Sequence, residues 1–539
     1  MNARRAVIAI VAAVAIIAGG AVTVRTVLGK IGGCTGGVTI SVAAAPEIAP
    51  AVRTAADRFT ATEPEVNGDC VRVEVTAAEP ADVANKLAVR AGGTINVAAA
   101  AVPTPADADV PTVWIPDASA WITRMQAVNR EAFEADVTSV ATSPVVVAAA
   151  EPVARSLGSP TIGAAQVAAL LAKVGAKELQ VASVDPRRST AGLAGAGLLY
   201  DSIVTDPKRL VDMVRAYRSI AVVPDTAALL KAPAQQVTVT SEQAVLTGGA
   251  DRTALPLEPA ATLDYPFAVV AGKPRAAVAA AELFRAALGT DREPFAKLGF
   301  RAPDGSTSAG FPAGRGAGTA PTPVKPLADP QKIAEVLGYW NATTAPSRVL
   351  TLVDVTSSMN RPMATRAGSP ARLEVLRKTA TEGLGLFTDD SELGLWAYGA
   401  EYQQVVPVSQ LNQGQRARLN TAVSAARATG SDVCGLYETV LAAYRSLKEG
   451  YKEGRSNTVV VFTDGSNTKP GMSLETLKLE LERATDPTRP IRVVLLGVGP
   501  DVRKQELDEI AATTGGRAFV VTNPDEIGNI FLQALIRSS

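Results

Sequence analysis

The chain contains no histidine among its 539 residues. That absence removes His-based catalytic triads, the usual general base near neutral pH, and most zinc sites. Net charge is also absent, with 53 Lys and Arg against 53 Asp and Glu and no long basic stripe. Nucleic acid is therefore not an expected partner. No G-x-x-x-x-G-K-[ST] loop occurs, so the chain is not itself a P-loop nucleotidase. No nucleophile–base pair stands out, and the expected function is binding rather than catalysis. What is present is length. A chain of this size exceeds one hydrophobic core and predicts two or three domains.

The N-terminus carries Arg4 and Arg5 before an uncharged stretch from Ala6 to Val24. As a helix that stretch spans about 28 Å, close to the thickness of a bilayer core. Residues 1–30 read as a signal-anchor: a single transmembrane helix with its basic end inside and the bulk of the chain extracytoplasmic at the cell membrane. A cleaved signal is the other reading, with Ala18-Gly19-Gly20 as the small-residue site. Cys34 ends an "IGGC" stretch like a lipoprotein box, but Lys30 and Arg25 separate it from the apolar run. Cys34 and Cys70 bracket the first predicted strand–helix–strand. In an oxidising compartment a Cys34–Cys70 disulfide is the economical pairing, leaving Cys434 free; two unpaired thiols are the alternative.

Residues 35–301 alternate between strand and helix patterns, as in "GGVTISVAAA" followed by Ile48, Val52, Ala55 and Phe59 at helical spacing. Such alternation predicts an α/β domain. Residues 302–346 break it. Gly, Pro, Ser, Thr and Ala dominate up to Lys325, which reads as a linker or mobile loop, and one helix packing Ile333, Val336 and Leu337 follows. A second α/β alternation fills residues 347–539. Its strands include "RVLTLVD", "SELGLWAYG", "NTVVVFTD" and "PIRVVLLGVG". The continuous apolar runs mark strands buried on both faces of a mostly parallel sheet. A helix is expected from Ser369 as cap and Pro370 as first residue, burying Leu373, Leu376, Ala380, Leu384 and Phe387. A final helix after Asn523 would bury Ile527, Ile530, Phe531 and Leu535.

The strand "RVLTLVD" ends in Asp354, followed at once by Thr356, Ser357 and Ser358. The strand "NTVVVFTD" ends in Thr463 and Asp464. In open parallel sheets ligands bind beyond the carboxyl ends of strands. Two carboxylates with hydroxyls there form an oxygen-lined site suited to Mg²⁺. These residues resemble the von Willebrand factor A domain and its metal-ion-dependent adhesion site. "DVTSSM" matches D-x-S-x-S with Thr356 for the first Ser, and Asp464 in "FTDG" matches the last element. The resemblance implies a Rossmann-like domain in which Asp354, Thr356, Ser358 and Asp464 hold Mg²⁺ or Mn²⁺ and an acidic side chain of a protein partner completes the shell. One position departs: where the family has Thr, the spacing puts Cys434, a soft thiol and a poor ligand for Mg²⁺. Ser431 or Asp432 are the nearby oxygen alternatives.

"VTISVAAAPEIAPAV", "VWIPDASAW", "VTVTSEQAV" and "LDYPFAVVAG" are similar to the two-lobed, periplasmic-binding-protein-like solute-binding proteins. That resemblance implies a small-molecule cleft between lobes. Ser189 and Thr190, with Arg187 and Arg188 beside them, could cradle an anion at a helix start, or simply cap it. Ala43 to Glu47 offers no hydroxyl where oxyanion binders usually carry Ser, so a tetrahedral oxyanion is not expected. Trp114 and Trp121 could line a cleft or pack in the core. Together the resemblances imply a membrane-anchored binding or adhesion protein; the alternative is a solute receptor working with an ATP-driven importer.

Overall fold

The computed structural model describes residues 36–98, 102–204, 210–231, 233–249, 251–364, 368–385, 387–465, 467–486, 488–523 and 530. The expected anchor and Cys34 lie outside them, as does the final helix apart from Ile530. Among the described residues no helix is long and apolar enough to cross a membrane. The chain divides into two compact units. The first comprises residues up to 169, 179–195 and 221–333; the second comprises 170–178, 196–220 and 334 onward.

The first unit contains two sheets. One is built on β1 (Gly36–Ala44), β2 (Asp69–Ala77), β3 (Val113–Ile115) and the antiparallel Pro266–Val269, with two-residue strands at its edges. The other runs in the order Arg252–Pro256, Ser143–Ala150, Gln236–Ser241, Gln180–Val184, Ala221–Val223. Ile40, Val42 and Val71 are buried beneath α1 (Ala49–Thr60), whose Val52, Ala55 and Phe59 form the expected apolar stripe. Trp114 and Trp121 are buried in the core with Leu87, Met125 and Phe133, so they pack rather than line a cleft.

Cys70, in β2, is disulfide-bonded, while Cys434 is free and buried. The parallel register sets Gly37 against Cys70, which brings the strand preceded by Cys34 beside the Cys70 strand. Peptide mapping of the protein under non-reducing conditions is expected to recover Cys34 joined to Cys70. Recovery of both as alkylated thiols would rule the pairing out.

The Gly/Pro-rich segment after Arg301 is not loose. The Arg301 side chain is 1% exposed and meets both carboxylate oxygens of Glu242, at 2.6 and 2.9 Å. It also donates to the carbonyls of Gly305, Gly318 and Ala320. Lys325 and Thr262 exchange backbone and hydroxyl hydrogen bonds. Gly316 has φ +86°, and a Cβ there would lie 2.3 Å from the Ala254 carbonyl, so only glycine permits this approach. Residues 302–325 thus form a strap bound to the first unit instead of a mobile loop.

The second unit holds a single mixed sheet, made of β4 (Ser347–Asp354), β5 (Glu392–Tyr398), β6 (Tyr402–Gln410), β7 (Ser456–Thr463), β8 (Ile491–Val498) and β9 (Ala518–Val521). The spatial order is β6-β5-β4-β7-β8-β9, parallel except for the β6 edge. Helices cover both faces, which buries both sides of β4, β7 and β8 and accounts for their unbroken apolar runs. The helix expected at Ser369 begins at Arg372 instead (α2, Arg372–Leu384). Ser369 spends its hydroxyl on the Ala364 N–H, 3.0 Å away, and so does not cap the helix. Strand order reverses between β4 and β7, and their register sets Val353 beside Phe462. Asp354 and Thr463 therefore emerge side by side at the switch point, where such sheets bind ligands.

Candidate functional site

The rim over β4 and β7 collects the residues picked out in the sequence. Asp354 is fully buried at the end of β4. Its Oδ1 accepts from the Thr356 N–H at 2.9 Å and the Thr356 hydroxyl at 2.6 Å. Thr356 and Ser358 share a hydroxyl hydrogen bond of 2.9 Å. Asp354 Oδ2 accepts from the Thr463 hydroxyl at 3.3 Å and from the Cys434 thiol at 3.6 Å. Thr463, which the sequence motif did not single out, is fixed by the Gly465 N–H at 3.0 Å. Cys434 therefore lies beside the Asp354 carboxylate.

None of these donors carries charge. Burial pushes the Asp354 carboxyl up to about 6, with the nearby Asp464 adding to the effect. Burial, reinforced by the same two acids, pushes the Cys434 thiol far up, so it stays protonated. Ser431 and Asp432 do not substitute for it. The Ser431 carbonyl accepts from the Ser357 N–H at 2.9 Å, and the Asp432 carboxylate holds the Ser357 hydroxyl. They fasten the neighbouring loop and do not join the Asp354–Thr356–Ser358 run.

Asp464 has a partner that sequence reasoning missed. Arg372 Nη1 lies 3.4 Å from Asp464 Oδ2, and its Nη2 lies 2.7 Å from Asp501 Oδ2. Arg372 is the first residue of α2, where the helix dipole disfavours a cation. That misplacement was the available signal, but it names no partner.

The donor set only partly suits a divalent ion. Asp354, Thr356 and Ser358 group hard oxygens as Mg²⁺ requires. Two features do not fit: a neutral thiol stands where a hydroxyl would ligate, and a guanidinium sits on the second carboxylate. No recognition step is therefore routed through a metal.

The first unit carries a second buried polar cluster. Thr190 opens a helix (α3, Thr190–Val204), and its N–H and hydroxyl bind Asp117 at 3.2 and 2.8 Å. An internal carboxylate thus fills the helix start that could have cradled an anion. Arg187 pairs with Asp185 at 2.6 Å and Arg188 with Asp82 at 2.8 Å. Ser189 accepts from the Gly192 N–H at 3.2 Å. Around Asp117 lie Glu47, bonded by the Tyr265 hydroxyl at 3.0 Å, and Asp264, bonded by the Ser119 N–H at 2.7 Å. Burial raises Glu47 to about 7 and Asp117 to about 6. Among the described residues no group of three or more His, Cys, Asp or Glu is placed to hold a metal.

Two family models match separate stretches of the chain. Residues 40–301 match the family described as bacterial extracellular solute-binding protein, and residues 349–533 match the von Willebrand factor type A domain. Relatives from two strains of Mycobacterium tuberculosis, each described as an uncharacterized protein, are 24% identical over 537 residues, covering 90% of this chain and 74% of the relative. Among solved structures, a von Willebrand factor type A protein from Catenulispora acidiphila is 17% identical over 36% of this chain and 43% of its own, with a TM-score of 0.29. The sulfate-binding protein SubI from Mycobacterium tuberculosis is 17% identical over 50% of this chain and 88% of its own, with a TM-score of 0.34. The chain joins a bacterial extracellular solute-binding domain to a C-terminal von Willebrand factor type A domain.

Proposed function

We propose that this chain is an extracytoplasmic binding protein, held at the cell membrane by residues 1–30, whose A-type domain recognises a protein partner at the β4–β7 rim. The observation that carries this reading is the convergence of Asp354, Thr356 and Ser358 with Cys434 and Thr463, from three separate segments, onto the sheet's switch point. The domain descriptions support it, since one family is named for solute binding. An acidic partner group bridged by a metal is not carried forward, because the donor set does not fit that ion. The rim offers instead the Ser357–Asp432 pair and the apolar Val433, 39% exposed.

The receptor reading has less behind it. The helix start best suited to an anionic solute is already filled by Asp117.

A photo-crosslinking residue at Val433 tests the proposal in intact cells. It is expected to capture one protein species that the same residue at Leu479, 45% exposed on the same domain, does not capture. Identical capture from both positions, or none from Val433, would refute a rim-directed partner.

A further inference from the structure

The rim carries a cation of its own. The Arg372 side chain is 2% exposed, and a desolvated guanidinium persists only where anions compensate it. Asp464 and Asp501 supply them, at 3.4 and 2.7 Å. Space for it has been left in the backbone. Gly499 has φ +112°, and a Cβ there would lie 2.5 Å from Arg372 Nε. Any other residue at this position would strain the backbone and displace the guanidinium. Among the described residues Arg372 Nε is buried with no hydrogen-bond partner, and the guanidinium meets Asp464 and Asp501 through Nη1 and Nη2.

The other carboxylate, Asp354, is served by Thr356, Thr463 and Cys434, all of them neutral donors. The rim therefore already contains what its acids need. We propose that Arg372 is the resident cation of this site, that it takes the electrostatic place of a divalent ion, and that Arg372 and Cys434 together close the rim to metal. A dication entering here would meet a fixed positive charge against Asp464, because like charges in a water-poor site repel strongly. It would also find a thiol where a hard oxygen is needed. The inference rests on reading the rim as an A-type recognition site, but its test does not require the partner.

The test is isothermal titration of MgCl₂ and MnCl₂ into the chelator-stripped full chain in detergent. Wild type, Arg372→Lys, Arg372→Met, Cys434→Thr and the Arg372→Met/Cys434→Thr double variant are compared. Wild type and Arg372→Lys are expected to show no saturable binding at low millimolar ion, the weak end of protein divalent sites. The double variant is expected to bind Mg²⁺ at least about tenfold more tightly than Cys434→Thr alone. If Arg372→Met weakens folding by leaving Asp464 unpaired, its melting temperature should rise with Mg²⁺ or Mn²⁺ while that of wild type stays fixed. Three outcomes would overturn the proposal: wild type binding Mg²⁺ as tightly as the double variant, Arg372→Lys gaining the same affinity as Arg372→Met, or an unfolded Arg372→Met that neither ion restores. Loss of the Val433 crosslink would count against the recognition site alone, so the two failures can be told apart.

Discussion

Replacing Arg301 with methionine is expected to destabilise the first unit by about 3–5 kcal/mol, the range for breaking a buried ion pair on one side. The substitution strands the Glu242 carboxylate, whose side chain is 3% exposed, and removes the donor from three backbone carbonyls. The strap spanning residues 302–325 should open as well. Limited proteolysis is expected to cut at Arg315, which is otherwise held by the Val245 carbonyl at 3.0 Å. Pairing the change with Glu242→Leu should recover part of the loss, because the unpaired charge goes. Recovery cannot be complete, since the Gly305, Gly318 and Ala320 carbonyls still lack their donor. Urea unfolding of both variants measures this. A loss below about 1 kcal/mol with the strap still protected would mean that the pair does not hold the segment.

The second large effect concerns pH. Burial raises Glu47 to about 7, with Asp117 and Glu79 adding to the shift, and raises Asp117 to about 6, with Asp264 adding to it. Arg124 opposes the charge from the Trp121 side, and Tyr265 donates to Glu47. A carboxyl whose folded value lies above its unfolded value binds its proton more tightly when folded. Its contribution is fully present below the unfolded value and is lost as pH rises through the folded one. For these acids the window runs from about pH 4 to about pH 7. The first unit is therefore expected to be more stable at pH 5 than at pH 8, with Glu47 alone contributing on the order of 2 kcal/mol. Glu47→Gln keeps an acceptor for Tyr265 and cannot ionise. It should raise the melting temperature at pH 8, change it little at pH 5 and flatten the slope between. A wild-type profile that is flat from pH 5 to 8 would contradict this account.

The architecture could be read along the chain because its cause is local. Period-two and helical spacings of apolar residues depend on a few neighbours, and the runs "VVVF" and "VVLL", rich in β-branched valine, mark strands covered on both faces. The rim's core was legible for the same reason: a strand end fixes Asp354, and Thr356 and Ser358 follow within one turn. Helix starts were less so. Ser369 carries a capping residue's chemistry, but the loop's own Ala364 N–H takes its hydroxyl, and α2 begins at Arg372.

Composition misjudged residues 302–325, since glycine signals freedom in sequence yet also permits close packing. Gly316 approaches Ala254 because it lacks a side chain, and Arg301 binds carbonyls that any residue could supply. The charge state of the rim lay further out of reach. Arg372 and Asp464 stand 92 residues apart, joined by no periodicity or motif. Asp117 and Thr190 are separated by 73 residues and show why an anion-like helix start needs no external anion. Sequence determined which elements form and which side chains stand at their ends, because those follow from local sterics and burial. Only the tertiary structure decided which charges meet, because a buried carboxylate takes whatever donor the fold brings within reach, whatever its distance along the chain.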